Sequence, residues 1–132
     1  MPARKIMVVD DSATERWYIA DLLVRSGYEV VTADSGADAL AKVRLERPSL
    51  IVMDVVMPGA SGFQVVRTLA RDPETQAIPV ILCTSKSAET DRIWGLRQGA
   101  RDYVTKPVDA AELLAKVAEL VSAAAATAAG TR

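Results

Sequence analysis

The 132-residue chain contains no histidine and only one cysteine, Cys83. Without histidine the usual zinc ligand sets are unavailable, and a lone thiol cannot close an intramolecular disulfide. Cys83 therefore reads as a small buried apolar residue, and reducing cytoplasm as the natural compartment. An excess of one charge is also lacking: 16 basic residues against 17 acidic leave a net charge of −1. No basic groove is indicated, and nucleic acid is not an expected partner. No apolar stretch approaches the roughly eighteen residues of a membrane span. Arg4-Lys5 passes directly into a five-residue apolar pattern too short for a signal peptide, so no membrane insertion is expected. What remains is the composition of one soluble domain, half apolar and a quarter charged, and long enough to bury a core without staples.

Along the chain, short apolar runs alternate with segments of helical periodicity. Ile6 to Val9 reads as a strand stopped by Asp10-Asp11-Ser12. The next apolar positions, Trp17, Ile19, Ala20, Leu23 and Val24, predict a helix, with Gly27 just beyond its end. Glu29–Ala33 predicts a strand, Ala37–Glu46 a helix, Leu50–Met53 a strand ended by Asp54, and Phe63–Arg71 a helix after the breaks at Pro58-Gly59 and Ser61-Gly62. Ile78–Cys83 predicts a fourth strand ending at Thr84-Ser85, Ala88–Gln98 a helix closed by Gly99, Asp102–Thr105 a fifth strand and Asp109–Val121 a last helix. Strands joined by crossover helices must lie parallel, and strands apolar throughout fit burial on both faces. The expected fold is α/β, a doubly wound five-stranded parallel sheet. Residues 1–122 form the expected domain, and 123–132 an alanine-rich tail, either disordered or a frayed extension of the last helix.

The polar residues that end the strands carry the functional signal. Asp10 and Asp11 end the first strand, Asp54 the third, Thr84 the fourth and Lys106 the fifth. In a doubly wound sheet these ends line the ligand crevice, and neighbouring first and third strands would bring the three aspartates together. Three clustered carboxylates repel one another, which calls for a hard divalent cation held by oxygen ligands: magnesium, with manganese as a substitute. An ionised carboxylate attacks a phosphoryl group without a general base, and the transfer needs mainly positioning and charge neutralisation. Lys106 supplies a cation and Thr84 a hydroxyl.

Four segments together, Val8-Val9-Asp10-Asp11-Ser12, Met53-Asp54-Val55-Val56-Met57-Pro58-Gly59, Leu82-Cys83-Thr84-Ser85 and Asp102-Tyr103-Val104-Thr105-Lys106-Pro107-Val108, resemble the response-regulator receiver family in its single-domain, chemotaxis-type form. The resemblance covers roughly residues 5 to 121. It implies the flavodoxin-like (βα)5 fold with strand order 2-1-3-4-5, and a phosphorylation switch in a two-component pathway rather than an enzyme. By it, Asp54 is the phosphoacceptor, Asp10, Asp11, Asp54 and the Val56 carbonyl hold the metal, and Thr84 and Lys106 contact the phosphoryl group. Thr84 and Tyr103 form the switch, with Tyr103 turning inward on activation, and the Lys106–Pro107 peptide is cis. The stretch from Glu89 to Tyr103 resembles single-domain regulators of type IV pilus, or twitching, chemosensory systems. The resemblance implies a chemotaxis-type histidine kinase as one partner and, as the other, a protein bound at the face of the fourth helix, fifth strand and fifth helix. The expected state is a monomer or weak dimer.

Two positions depart from the motility-type pattern: Val56 replaces a polar residue and Lys86 an acidic one. Valine cannot hydrogen-bond a hydrolytic water, which predicts slow self-dephosphorylation. Other readings exist for the same residues. Asp10, Asp11 and Ser12 could cap the first helix, Tyr103 could be plain core, and Trp94, if exposed, could anchor a partner. An aspartyl phosphatase would need an acid at Val56, and a flavin binder would be repelled by Asp10-Asp11. A phosphate sink for a shared kinase and an unphosphorylated scaffold remain as alternatives to an active output.

Overall fold

The computed structural model describes the backbone of residues 4–85 and 89–130, and the side chains of 4–85 and 93–122. Ten elements alternate along the described residues: β1 (Lys5–Val9), α1 (Ala13–Arg25), β2 (Glu29–Ala33), α2 (Gly36–Glu46), β3 (Leu50–Asp54), α3 (Gly62–Arg71), β4 (Val80–Thr84), α4 (Glu89–Gln98), β5 (Asp102–Thr105) and α5 (Ala110–Gly130). The five strands form one sheet in the order β2-β1-β3-β4-β5, every pairing parallel. This is the expected doubly wound α/β fold.

Burial explains the strand composition. β3 and β4 are buried at every position, so neither has a solvent face on which a polar residue could alternate. Successive side chains still point to opposite faces, and the sheet therefore divides two cores. Met7, Val9, Ile51, Met53 and Leu82 belong to one, with Val65, Val66 and Leu69 of α3. Ile6, Val8, Leu50, Val52 and Ile81 belong to the other, with Leu23 of α1 and Leu113 and Val117 of α5.

Serine side chains start three helices: the hydroxyls of Ser12, Ser35 and Ser61 accept from the backbone N–H of Glu15, Asp38 and Gln64. Each satisfies one orphan donor of a first turn. At the end of α1, Gly27 has φ 95°, a left-handed conformation that a Cβ would strain.

Several boundaries and one face differ from the sequence reading. β4 begins at Val80 rather than Ile78, because the Ile78 N–H turns back to the Thr75 carbonyl at 3.0 Å and Pro79 has no N–H to offer the ladder. On α1 the buried stripe is Ile19 and Leu23, whereas Trp17 and Val24 are 66% and 55% exposed. Trp17 sits two residues from Ile19, about 200° round the helix, and points the other way. α2 and α3 each start one residue earlier, at the glycine following the serine cap. The alanine-rich segment continues α5 as helix to Gly130, consistent with alanine's high helix propensity. The expected start of α4 at Ala88, and residues 131–132, lie outside the described residues. Among the described residues no helix is long and apolar enough to cross a membrane.

Candidate functional site

Sheet order assembles the site. β1 and β3 are neighbours with Val9 opposite Met53, so the residues that follow, Asp10 and Asp54, emerge side by side. One carboxylate oxygen from each of Asp10, Asp11 and Asp54 lies within 4.8 Å of the others. Asp10 and Asp54 are 1% and 6% exposed, and Asp11 faces solvent. Asp54 pairs with Cys83 across β3 and β4, which sets Thr84, buried at the end of β4, one step beyond. The Lys106 N–H donates to the Thr84 carbonyl at 2.7 Å, and the Lys106–Pro107 peptide is cis, as the family resemblance implied.

The backbone around Asp54 is held closely. The Gly62 N–H donates to the Val55 carbonyl at 2.8 Å, and the Val55 N–H to the Cys83 carbonyl at 2.9 Å. A Cβ on Gly62 would meet the Asp54 carbonyl oxygen at 2.5 Å, so the start of α3 can rest on the end of β3 only through a glycine. Val56 follows at the rim, 59% exposed.

Lys106 binds the cluster together. Its Nζ lies 3.0 Å from Asp54 Oδ1, 3.2 Å from Asp10 Oδ2 and 2.8 Å from Glu15 Oε2. Burial pushes the Asp54 carboxyl above its ordinary value; Lys106 opposes this, and the negative charges of Asp10 and Glu15 add to it. Burial by itself would lower the Lys106 ammonium, but its contacts with Glu15 and Asp54 and the charge of Asp10 carry it above its ordinary value. Lys106 is thus a fixed cation beside the Asp54 carboxylate. Burial pushes the Cys83 thiol up to about 12, where it is inert.

The acidic triad suits a small hard cation. Its donors are all oxygen and two of its carboxylates are buried with, among the described residues, a single ammonium between them, so further positive charge would relieve the remaining repulsion.

Glu15 and Arg16 were missed by the sequence reading. The Arg16 guanidinium donates to the Asp10 carbonyl at 2.7 Å. Ser12-x-x-Glu15 has the spacing of a capping box, which accounts for a glutamate there without any role in the site. Only half of the box forms. The Ser12 hydroxyl accepts from the Glu15 N–H at 3.3 Å, but the Ser12 N–H goes to Asp10 Oδ1 at 2.9 Å, and the Glu15 carboxylate goes to Lys106. The capping role proposed for the acidic run therefore belongs to Ser12.

Tyr103 is 7% exposed and shares the apolar cluster of Val80, Leu82 and Ala100. Its ring is already inward, where the sequence reading had it turn inward on activation. On α4, Ile93, Trp94 and Leu96 are 42%, 48% and 38% exposed. Lys86 and the side chains of Glu89, Thr90, Asp91 and Arg92 lie outside the described residues.

Comparison with known proteins agrees with this geometry. Residues 6–118 match the response regulator receiver domain family. The protein PilH of Pseudomonas aeruginosa is 52% identical over 110 residues, 83% of this chain and 91% of PilH. The response regulator PleD of Caulobacter vibrioides is 44% identical over 88% of this chain, which spans only 26% of PleD. Among solved structures, the chemotaxis response regulator CheY4 of Vibrio cholerae superposes with a TM-score of 0.84 at 30% identity, covering 89% of this chain and 98% of that one. A strand-end acidic triad, a lysine salt-bridged to its central carboxylate and a family match across most of the chain converge, and the chain belongs to the response-regulator receiver family.

Proposed function

We propose that the chain is a phosphorylation-switched regulator that accepts a phosphoryl group on Asp54. The observation that carries this reading is the placement of Lys106 Nζ 3.0 Å from Asp54 Oδ1, a carboxylate clustered with those of Asp10 and Asp11. An Asp54 carboxylate oxygen attacks phosphorus, the bond from phosphorus to the donor's nitrogen or oxygen breaks, and the leaving group takes the electron pair. An ionised carboxylate carries no proton, so no base is required and the absence of histidine is no obstacle. Magnesium, held by Asp10, Asp11, Asp54 and the Val56 carbonyl, would neutralise charge on the phosphoryl oxygens. Lys106 and Thr84 would contact those oxygens from the other strand ends.

Phosphorylation adds close to two negative charges and redirects Lys106 and Thr84 toward them. Because Tyr103 already packs inward, the modification would hold that arrangement rather than create it. Output then passes through the face of α4, β5 and α5, where Ile93, Trp94 and Leu96 offer exposed apolar surface for a partner protein. The resemblance of the stretch from Glu89 to Tyr103 to type IV pilus regulators, with the 52% identity to PilH beside it, is the ground for a chemotaxis-type histidine kinase as donor and a role in pilus control.

Intact mass after incubation with acetyl phosphate tests the reading. A phosphate adduct that needs magnesium and is absent from Asp54→Asn is expected. No adduct on wild-type protein, with magnesium shown to bind, would favour a scaffold bound without phosphorylation.

A further inference from the structure

Lys106 contacts three carboxylates, and an ammonium has three N–H donors. Asp54 is the proposed acceptor and Asp10 part of the metal triad. The third, Glu15, belongs to neither. It stands in the first turn of α1, its side chain 49% exposed, and it makes the shortest of the three contacts at 2.8 Å. Its backbone already serves the helix through the Ser12 cap, and the capping box gives no account of its carboxylate.

Resting on the phosphorylation reading, we propose that Glu15 is a positioning residue that holds the Lys106 ammonium by its third N–H and competes for it with the arriving phosphoryl group. Two physical effects act in the same direction. Glu15 occupies an N–H that a phosphoryl oxygen needs, and its part-exposed negative charge stands one lysine away from the acceptor, where it repels an arriving anion. Asp54 and Asp10 still hold Lys106 without it, so the ammonium is not lost from the site when Glu15 is neutralised. Glu15 therefore slows phosphoryl uptake and biases the switch toward its unmodified state.

The test measures initial rates of phosphate adduct formation from acetyl phosphate, with saturating magnesium, for wild type, Glu15→Gln and Asp21→Asn. Glu15→Gln keeps the shape of the side chain and the backbone N–H that Ser12 caps. Asp21→Asn makes the same charge change farther along α1, where Asp21 pairs with Arg25. Glu15→Gln is expected to react about two- to fivefold faster, the range of a part-exposed charge pair. The advantage should shrink in about 1 M salt, where the Debye length falls to about 3 Å, whereas a change due to altered packing would not follow salt in this way. Asp21→Asn should match wild type. A Glu15→Gln rate equal to or below wild type, or an equal acceleration in Asp21→Asn, overturns the proposal while leaving phosphorylation intact. If no adduct forms on wild type or on either variant, the phosphorylation reading fails and this inference fails with it.

Discussion

Two ion clusters in this molecule use the same chemistry at opposite degrees of burial. On the surface, the Arg44 guanidinium joins α2 to the segment after α3, paired with Asp72 and, at 3.1 Å, with Glu74. At the sheet edge, the Lys106 ammonium joins Asp54, Asp10 and Glu15. In the first, Asp72 lies below its ordinary value, chiefly because the Glu74 N–H and then Arg44 bond its charged form. In the second, Asp54 lies above it, because burial outweighs the lysine. A cation beside a carboxylate therefore does not by itself settle the carboxylate's charge. The surface cluster fastens two segments, while the buried one stores unfavourable charge that a metal ion or a ligand can relieve, a common trait of functional sites.

The sharpest way to break the comparison is to remove each cation. Lys106→Ala leaves Asp10 and Asp54 buried without their partner and should cost about 3 kcal/mol of folding stability at neutral pH in metal-free buffer. Arg44→Ala, at a solvent-exposed pair, should cost much less. Urea denaturation of both variants decides, and equal losses would erase the distinction.

Next in size is magnesium. At tenfold its dissociation constant it should stabilise the wild type by about 1.4 kcal/mol. Asp11→Asn should lose this gain with little change in metal-free stability, since Asp11 is exposed, and thermal melts with and without the ion would show it.

A third prediction concerns sign. The folded chain holds the Asp54 proton more tightly than the unfolded chain does, so ionising Asp54 opposes folding as the pH rises above about 3.8 and through its raised value. Asp72 behaves oppositely: its contribution is present above about 3.8 and lost as the pH falls through its lowered value. In metal-free buffer at neutral pH, Asp54→Asn should stabilise and Asp72→Asn destabilise. Both differences should vanish in strong acid, and denaturation midpoints across pH would reveal a shared sign if the account is wrong.

The smallest effect on the fold is expected at Val56, which is exposed at the rim of the buried cluster. Val56→Asn offers a hydrogen-bonding group to water there and should shorten the phosphorylated lifetime about three- to tenfold, the effect of one hydrogen bond. Decay of the adduct after removal of donor measures it, and an unchanged lifetime would remove Val56 from the account of slow hydrolysis.

Much of this was legible because short apolar runs leave a plain trace. β2 and β5, though only partly buried, fall where the sequence placed them, since such runs bounded by turn residues permit little else. The buried acidic pair, Thr84 and Lys106 were legible because each follows or ends a strand, and parallel topology carries those ends to one edge. The exposed face of α1 was not, because Trp17 and Val24 share one stripe and Ile19 and Leu23 another, and apolarity does not say which stripe packs. Glu15 escaped because an acidic residue in the first turn of a helix is commonplace and its spacing does not show that it reaches Lys106. Tyr103 stayed open between core and switch because a tyrosine at that position is compatible with both core and surface, and only packing chooses.

The account turns on Asp54 being the atom donor to the new phosphorus bond, and borohydride reduction of the phosphorylated protein followed by peptide mass mapping tests it most directly. An acyl phosphate is reduced to an alcohol, so residue 54 should be recovered as homoserine, only in protein treated with both phosphodonor and magnesium. Homoserine at Asp10 or Asp11, or a phosphate adduct that resists reduction, would place the modification elsewhere and contradict the account.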